Sequence, residues 1–143
     1  MKATNCRLKF LLGLLILSFV PSLFGEVVVV VNADSPVTSI SRETLKNILS
    51  GKEKFWSDGS NIELAVPSGN ALEAEVLKEF AGMDATRFKT HWRRLVFSGR
   101  AKNPSECKDD ASMLELVSDK DNALGFVSAG ADTSSVKKIE VTD

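Results

Sequence analysis

Five consecutive valines constrain the fold more than any other feature of this sequence. They lie in the stretch EVVVVVN, residues 26–32, where no polar residue alternates with the apolar ones. A β-branched run without alternation is typical of a strand that is buried on both of its faces. Such a strand needs a layer of structure above and below it, so the run favours a layered α/β domain over an open sheet with one face in water.

The rest of the chain alternates predicted strands with predicted helices. Three further strands are predicted at residues 62–66, 123–127 and 136–141, the last at an edge of the sheet. The predicted helices begin after Ser41, Asn70 and Asp84, and a short one contains Met113, Leu114 and Val117. Strands alternating with helices predict an α/β fold with a mostly parallel sheet and helices on both faces.

The first 25 residues are predicted to be a signal peptide and not part of the domain. Three basic residues precede an apolar run at 10–24, and the small residue Gly25 follows it. A retained membrane anchor is the alternative, but the run is short for a membrane span and contains Pro21. Residues 26–143 are then one exported domain, which we expect in the periplasm.

The charge of the predicted mature chain gives no reason to expect nucleic-acid binding. Of the 18 Lys and Arg, three precede Glu26, so 15 remain against all 19 Asp and Glu, a net charge of −4. Cys6 lies in the predicted signal peptide, which leaves Cys107 alone and without an intramolecular disulfide partner. Burial is the commonest outcome for such a cysteine.

No set of residues in the sequence predicts an enzyme, a metal site or a cofactor. His91 is the single histidine, and no Cys and His residues have the spacing of metal ligands. No nucleophile elbow, phosphate-binding P-loop or dinucleotide fingerprint occurs. Asp109 with Asp110 and Asp119 with Asp121 are interpreted as solvated or capping carboxylates. We therefore expect no catalytic residue, no metal and no cofactor.

Four stretches occur in an order that resembles a known family. They are SRETLKNILSGKEKFWSDGSNI, VPSGNALEAEVLKEF, HWRRLVFSGR and NALGFVSAG. In this order they resemble the phosphate-type periplasmic substrate-binding proteins of ABC transporters, over residues 27–129. Gly51-Lys52, Trp56, Asp58-Gly59 and Gly125-Phe126 stand where that family has a Gly-Lys turn, a Trp, an Asp-Gly and a glycine-aromatic strand. Complete proteins of this family have two α/β lobes and bind their ligand in the cleft between them. The resemblance implies one such three-layer lobe of a type II periplasmic-binding-protein fold, in its short single-lobe form.

The resemblance also implies a binding site at the start of the second predicted helix. Residues Ser68, Gly69 and Asn70 match the family's Ser-Gly-Thr corner, where the hydroxyl and the N–H groups through Ala71 would hold an oxyanion such as phosphate. The alternative is structural, because Asn70 and Glu73 have nearly the spacing of a capping box. The Arg and Asp that precede the corner in complete phosphate receptors are absent, since Leu64 to Pro67 carries no charge.

Two functions follow as expectations. In the first, the chain is a non-enzymatic binding lobe that contacts phosphate or another oxyanion weakly, or together with a partner that completes the cleft. In the second, it is an interaction protein that docks a protein through the former cleft face and binds no small ligand. A hydrolase is a third, weaker hypothesis. Arg93, Arg94, Arg100 and Lys102 are alternative cations for an anion, although basic residues near a helix end also complement its dipole.

Overall fold

A computed structural model describes residues 26–143 of the chain, and the predicted signal peptide lies outside these residues. The described part contains six strands, four α-helices and one π-helical segment. The strands are β1 Val27–Asn32, β2 Ser39–Ser41, β3 Glu63–Pro67, β4 Ser105–Cys107, β5 Ala123–Ser128 and β6 Val136–Thr142. The helices are α1 Arg42–Leu49, α2 Ala71–Val76, α3 Ala85–Phe97 and α4 Asp110–Asp119, with the π-helical segment Leu77–Ala81 directly after α2.

All strands belong to one sheet with the order β2-β6-β1-β5-β3-β4. β1 runs antiparallel to both of its neighbours, β5 and β6, whereas β2 is parallel to β6 and β3 is parallel to both β4 and β5. Five strands therefore point in one direction and β1 alone points in the other. This arrangement confirms the predicted α/β fold with a mostly parallel sheet.

The valine run forms the centre of the sheet. Val29 and Val31 face the helices α1 to α3, while Val30 faces α4, and all three are at most 2% exposed. The prediction of a strand buried on both faces is therefore confirmed. Helices do cover both faces, because residues next to each other in a strand point to opposite sides and each side needs its own apolar cover.

The two faces are closed in different ways. On one face, α1, the π-helical segment and α3 contribute large side chains, among them Leu45, Phe80, Phe88 and Trp92. On the other face α4 lies directly on β5 at Gly125, where an added Cβ would come within 2.7 Å of the Met113 sulfur. The glycine of the family-like strand thus lets α4 approach the sheet closely.

Two strands were not predicted, and one was misplaced. β2 and β4 have three residues each and lie between the predicted strands and helices. The strand predicted at residues 136–141 is confirmed as β6, but its predicted place at an edge of the sheet is wrong, because β6 lies between β1 and β2. β2 pairs with β6 from Ser39 to Ser41 and covers the edge that β6 would otherwise expose.

Candidate functional site

The carboxyl ends of the five parallel strands meet at one edge of the sheet, here called the carboxyl edge. Helices α1, α2 and α4 begin there, after β2, β3 and β4 respectively. Each is capped by the side chain before it. Ser41 accepts from the Thr44 N–H (3.1 Å), Asn70 from the Glu73 N–H (3.1 Å) and Asp109 from the Ser112 N–H (2.8 Å). Three helix N-termini with their positive dipole ends therefore lie along a single edge.

The predicted site is the turn between β3 and α2, here called the corner, residues 68–71. Gly69 has a φ of 72°, and an added Cβ there would meet no atom within 4 Å. The left-handed backbone requires glycine, while the surrounding space is open. The Ser68 N–H donates to the Cys107 carbonyl (2.9 Å), and the Asn70 amide donates to the Lys108 carbonyl (2.9 Å). The corner is thus fastened to the loop between β4 and α4.

Glu73 takes part in the cap of α2. Its Oε2 accepts the Gly69 N–H at 3.0 Å, while its own N–H donates to Asn70. This is a capping box displaced by one residue, as the alternative interpretation of the sequence anticipated. Lys89 on α3 lies 3.9 Å from the other carboxylate oxygen of Glu73. A carboxylate therefore sits on one of the N–H groups that the oxyanion interpretation assigned to a ligand.

Three hydrogen-bond donors of the corner have no acceptor in the described part of the chain. The N–H groups of Asn70 and Ala71 and the Ser68 hydroxyl make no hydrogen bond within residues 26–143. Together with Gly69 they are the four residues that the sequence nominated. The structure brings them together in one exposed turn, and whether that turn holds an anion stays a prediction.

Carboxylates accept hydrogen bonds from donors beside the corner, along the carboxyl edge. Asp109 caps α4, and the hydrogen bonds from the Ser112 side chain and backbone lower the pKa of its carboxyl. Asp110 accepts the N–H of Ser128 at 3.2 Å and also the Ser128 hydroxyl. A solvated or capping role was predicted for these aspartates, but their position beside the corner was not.

Arginine 42 is a cation of the carboxyl edge that the sequence did not single out. Its guanidinium lies 5.6 Å from the centre of the Phe80 ring and pairs with Glu79 (3.5 Å) and Asp143 (3.3 Å). Only one sequence feature could have pointed to Arg42, namely its place as the first helical residue after the serine cap. The cations that the sequence did propose, Arg93, Arg94, Arg100 and Lys102, lie instead on α3 and in the loop that follows it.

The histidine and the cysteine have structural positions. His91 Nε2 is 2.7 Å from the Ser50 carbonyl at the end of α1. Cys107 is buried under α4, and burial, followed by the charge of Asp109, raises the pKa of its thiol. A buried thiol with a raised pKa is a poor nucleophile. Within residues 26–143 no group of three His, Cys, Asp or Glu residues is arranged to hold a metal ion.

A family model described as a PBP superfamily domain matches residues 17–140. The chain belongs to this superfamily. Comparison with curated sequences gives no significant match. Of the helices in residues 26–143, none is both long and apolar enough to cross a membrane.

Solved structures with the same fold include receptors of phosphate transport. An ABC-type phosphate transport receptor from Vibrio cholerae matches with a TM-score of 0.64 at 23% identity, over 82% of this chain and 46% of the receptor. A Clostridium perfringens substrate-binding protein with bound phosphate matches with a TM-score of 0.63 at 18% identity, over 82% of this chain and 45% of that one. PstS from Borrelia burgdorferi matches with a TM-score of 0.58 at 14% identity, over 83% and 48%. This chain thus spans a little under half the length of these proteins.

Proposed function

We propose that the chain is an exported, non-enzymatic binding lobe that contacts phosphate or a similar oxyanion weakly at the corner. The observation that carries this proposal is the set of free donors at the start of α2: the Asn70 and Ala71 N–H groups and the Ser68 hydroxyl. Unpaired N–H groups at a helix N-terminus favour an anion. The superfamily and the phosphate receptors with the same fold support the choice of phosphate as the first ligand to try.

Weak binding is expected because the corner lacks charge support. No arginine lies in β3, and the carboxylate of Glu73 is already at the Gly69 N–H. An arriving phosphate must displace this carboxylate or accept its repulsion, and it finds no bidentate guanidinium in return. A partner that supplies a second lobe, or a transporter, would complete the cleft and add the missing contacts.

Glu73 provides the sharpest test of this proposal. In the variant Glu73→Gln the amide oxygen still accepts the Gly69 N–H, but the negative charge is gone. We expect phosphate to raise the melting temperature of this variant more than that of the wild type, because a ligand that binds only the native state stabilises it. Glu75→Gln is the matched control, since it removes the same charge from the same helix without touching the corner.

The titration has outcomes on both sides. A larger phosphate-dependent rise for Glu73→Gln than for Glu75→Gln supports an anion at the corner, and Gly69→Val should then abolish the rise. If phosphate and sulfate stabilise neither variant, the oxyanion proposal is wrong. The intact mass of the secreted protein tests export separately, because a mass that includes residues 1–25 would contradict cleavage.

A docking function is the second candidate, and one observation favours it. Glu73, Asp109 and Asp110 satisfy donors of the carboxyl edge from within the chain. These carboxylates bring negative charge to the edge and occupy part of its donors, which disfavours a small anion there. Under this hypothesis the former cleft face binds a protein and phosphate has no effect on stability.

A further inference from the structure

A groove runs between α3 and the edge strand β4, on the sheet face that carries α1 to α3. Its volume is about 610 Å³, with Val66 at its floor. The aromatic rings of Phe88, Trp92 and Phe97 line the α3 side, and Glu106 of β4 lies opposite. This α3–β4 groove shares no lining residue with the corner, and one contact links the two: Lys89 of the groove lies 3.9 Å from the Glu73 carboxylate that caps α2.

Phenylalanine 97 at the end of α3 is unusually accessible. Its side chain is 95% exposed, whereas Phe88 and Trp92 of the same helix are at most 7% exposed. A single exposed apolar residue needs no explanation, but this one extends the apolar lining of a groove to its mouth. The groove therefore offers a continuous apolar path from the core to the surface.

Helix α3 and the loop after it form a segment of a single charge. Residues 85–102 contain six Lys and Arg and no Asp or Glu, in a mature chain with a predicted charge of −4. All six side chains are exposed, and within residues 26–143 only Lys89 has an ion-pair partner, at 3.9 Å. Lys89 and Arg93 line the groove itself, against the single carboxylate of Glu106. This charge favours an acidic occupant.

The other wall of the groove has free main-chain groups. β4 is the last strand of the sheet in the described part of the chain. The Cys107 carbonyl accepts a hydrogen bond from the N–H of Ser68, which directly follows β3, so the main-chain groups of Cys107 point toward β3. Those of the preceding residue, Glu106, therefore point away from the sheet. An extended segment beside β4 could pair with them. β4 is short and follows Pro104, so such pairing adds few bonds and the groove side chains would supply most of the recognition.

We propose that the α3–β4 groove binds an extended acidic segment of a partner protein, with an apolar side chain of that segment against Phe97. Carboxylates of the segment pair with Lys89 and Arg93, and its main chain lies along Glu106. This mode combines a few main-chain hydrogen bonds at β4 with side-chain contacts in the groove, which supply most of the recognition. The concave apolar lining favours a peptide over a membrane surface, which would need its apolar anchors to protrude together.

The test uses the mature protein and a short fluorescein-labelled peptide in which glutamate alternates with leucine. Successive side chains of a strand point to opposite sides, so this peptide has glutamates on one side and leucines on the other. It can therefore present either carboxylates or apolar side chains to the groove. Binding is followed by the fluorescence anisotropy of the labelled peptide. We expect the acidic peptide to bind and a lysine–leucine peptide of equal length not to bind. Added salt should weaken binding, since exposed charges contribute to it.

Matched variants separate the groove from the charge of the whole helix. Lys89→Gln with Arg93→Gln removes two cations of the groove, and we expect about tenfold weaker binding. Arg87→Gln with Arg94→Gln removes two cations of the same helix outside the groove lining, and binding should weaken by less than about threefold. Phe97→Ser should weaken binding without lowering the melting temperature, because its side chain is exposed.

Three results would overturn the proposal. The first is that both double variants weaken peptide binding equally. The second is that the lysine–leucine peptide binds as tightly as the acidic one, and the third is that neither peptide binds. Recruitment to phosphatidylglycerol vesicles without peptide binding would also overturn it, in favour of a membrane surface. None of these readouts depends on phosphate, so failure here is distinguishable from failure of the oxyanion proposal.

Discussion

Two regions that both carry residues of the family resemblance have opposite physical characters. The first is the α1–α3 junction, residues 49–51 with His91 and Trp92. There the indole N–H of Trp92 donates to the Leu49 carbonyl at 2.9 Å in a buried hydrogen bond, and a Cβ on Gly51 would lie 2.6 Å from Leu95. The second is the corner, residues 68–71, whose glycine faces open space.

The hydrogen bonds of the two regions differ in the same sense. The bonds from Gly69 to Glu73 and from Asn70 to Lys108 are exposed, so water or a ligand can replace either partner at small cost. The bond from Trp92 is buried, so losing its donor would leave a carbonyl unpaired in the core. The junction therefore holds the lobe together, and the corner is the region that can exchange partners.

The largest expected effect is in the junction. Trp92→Ala removes a 7% exposed indole and the partner of Leu49, and we expect it to lower the free energy of unfolding by about 3–5 kcal/mol. Chemical denaturation of both proteins measures the difference. Trp92→Phe is the control that keeps a ring but loses the donor, at about 1–3 kcal/mol. A loss under about 1 kcal/mol for the alanine variant would show that the junction is not rigidly packed.

A smaller effect is expected at the corner. Asn70→Ala removes the N-cap of α2 and should lower stability by about 0.5–2 kcal/mol. Asn70→Ser keeps a side-chain oxygen that can accept from Glu73 but loses the amide that donates to Lys108, and it adds no charge, so it isolates the link to the β4–α4 loop. If Asn70→Ala costs as much as Trp92→Ala, the contrast between the two regions fails.

The sequence predicted features that depend on neighbouring residues. The buried β1 and the caps Ser41, Asn70 and Asp84 are confirmed. A strand buried on both faces and a helix cap leave their mark within a few residues, because period and cap chemistry are local. The family resemblance extended this to the whole lobe.

The missed features depend on residues far apart in the sequence. β2 and β4 are three-residue strands that exist through pairing with β6 and β3, so no local alternation could reveal them. The position of β6 inside the sheet follows from the same pairing. The contact of Asp110 with Ser128 likewise needs the register of the sheet, which carries α4 and β5 to the same edge. Sequence proposed the corner but could not supply the carboxylates around it.

The smallest expected effect concerns charge beside the corner. Asp109 caps α4 next to Lys108, and hydrogen bonds from Ser112 lower the pKa of its carboxyl below its ordinary value of 3.8. A group with a lowered folded-state pKa stabilises the protein above its unfolded pKa, and this contribution is lost as pH falls through the folded pKa. The neutral cap Asn70 contributes no such dependence.

Asp109→Asn therefore tests whether the cap of α4, unlike the neutral cap of α2, stabilises the protein through its charge. Asparagine keeps the oxygen that accepts the Ser112 N–H but cannot ionise, so the variant should be less stable than wild type near neutral pH. The difference should shrink as the pH falls below about 4, because the wild-type carboxyl then becomes protonated as well. Urea midpoints across this pH range measure the difference in stability. Asp58→Asn is the comparison variant, because the Asp58 carboxyl is also exposed and hydrogen bonds from Ser60 also lower its pKa. A constant difference at every pH would mean that the cap of α4 stabilises the helix through its hydrogen-bond geometry and not through its charge.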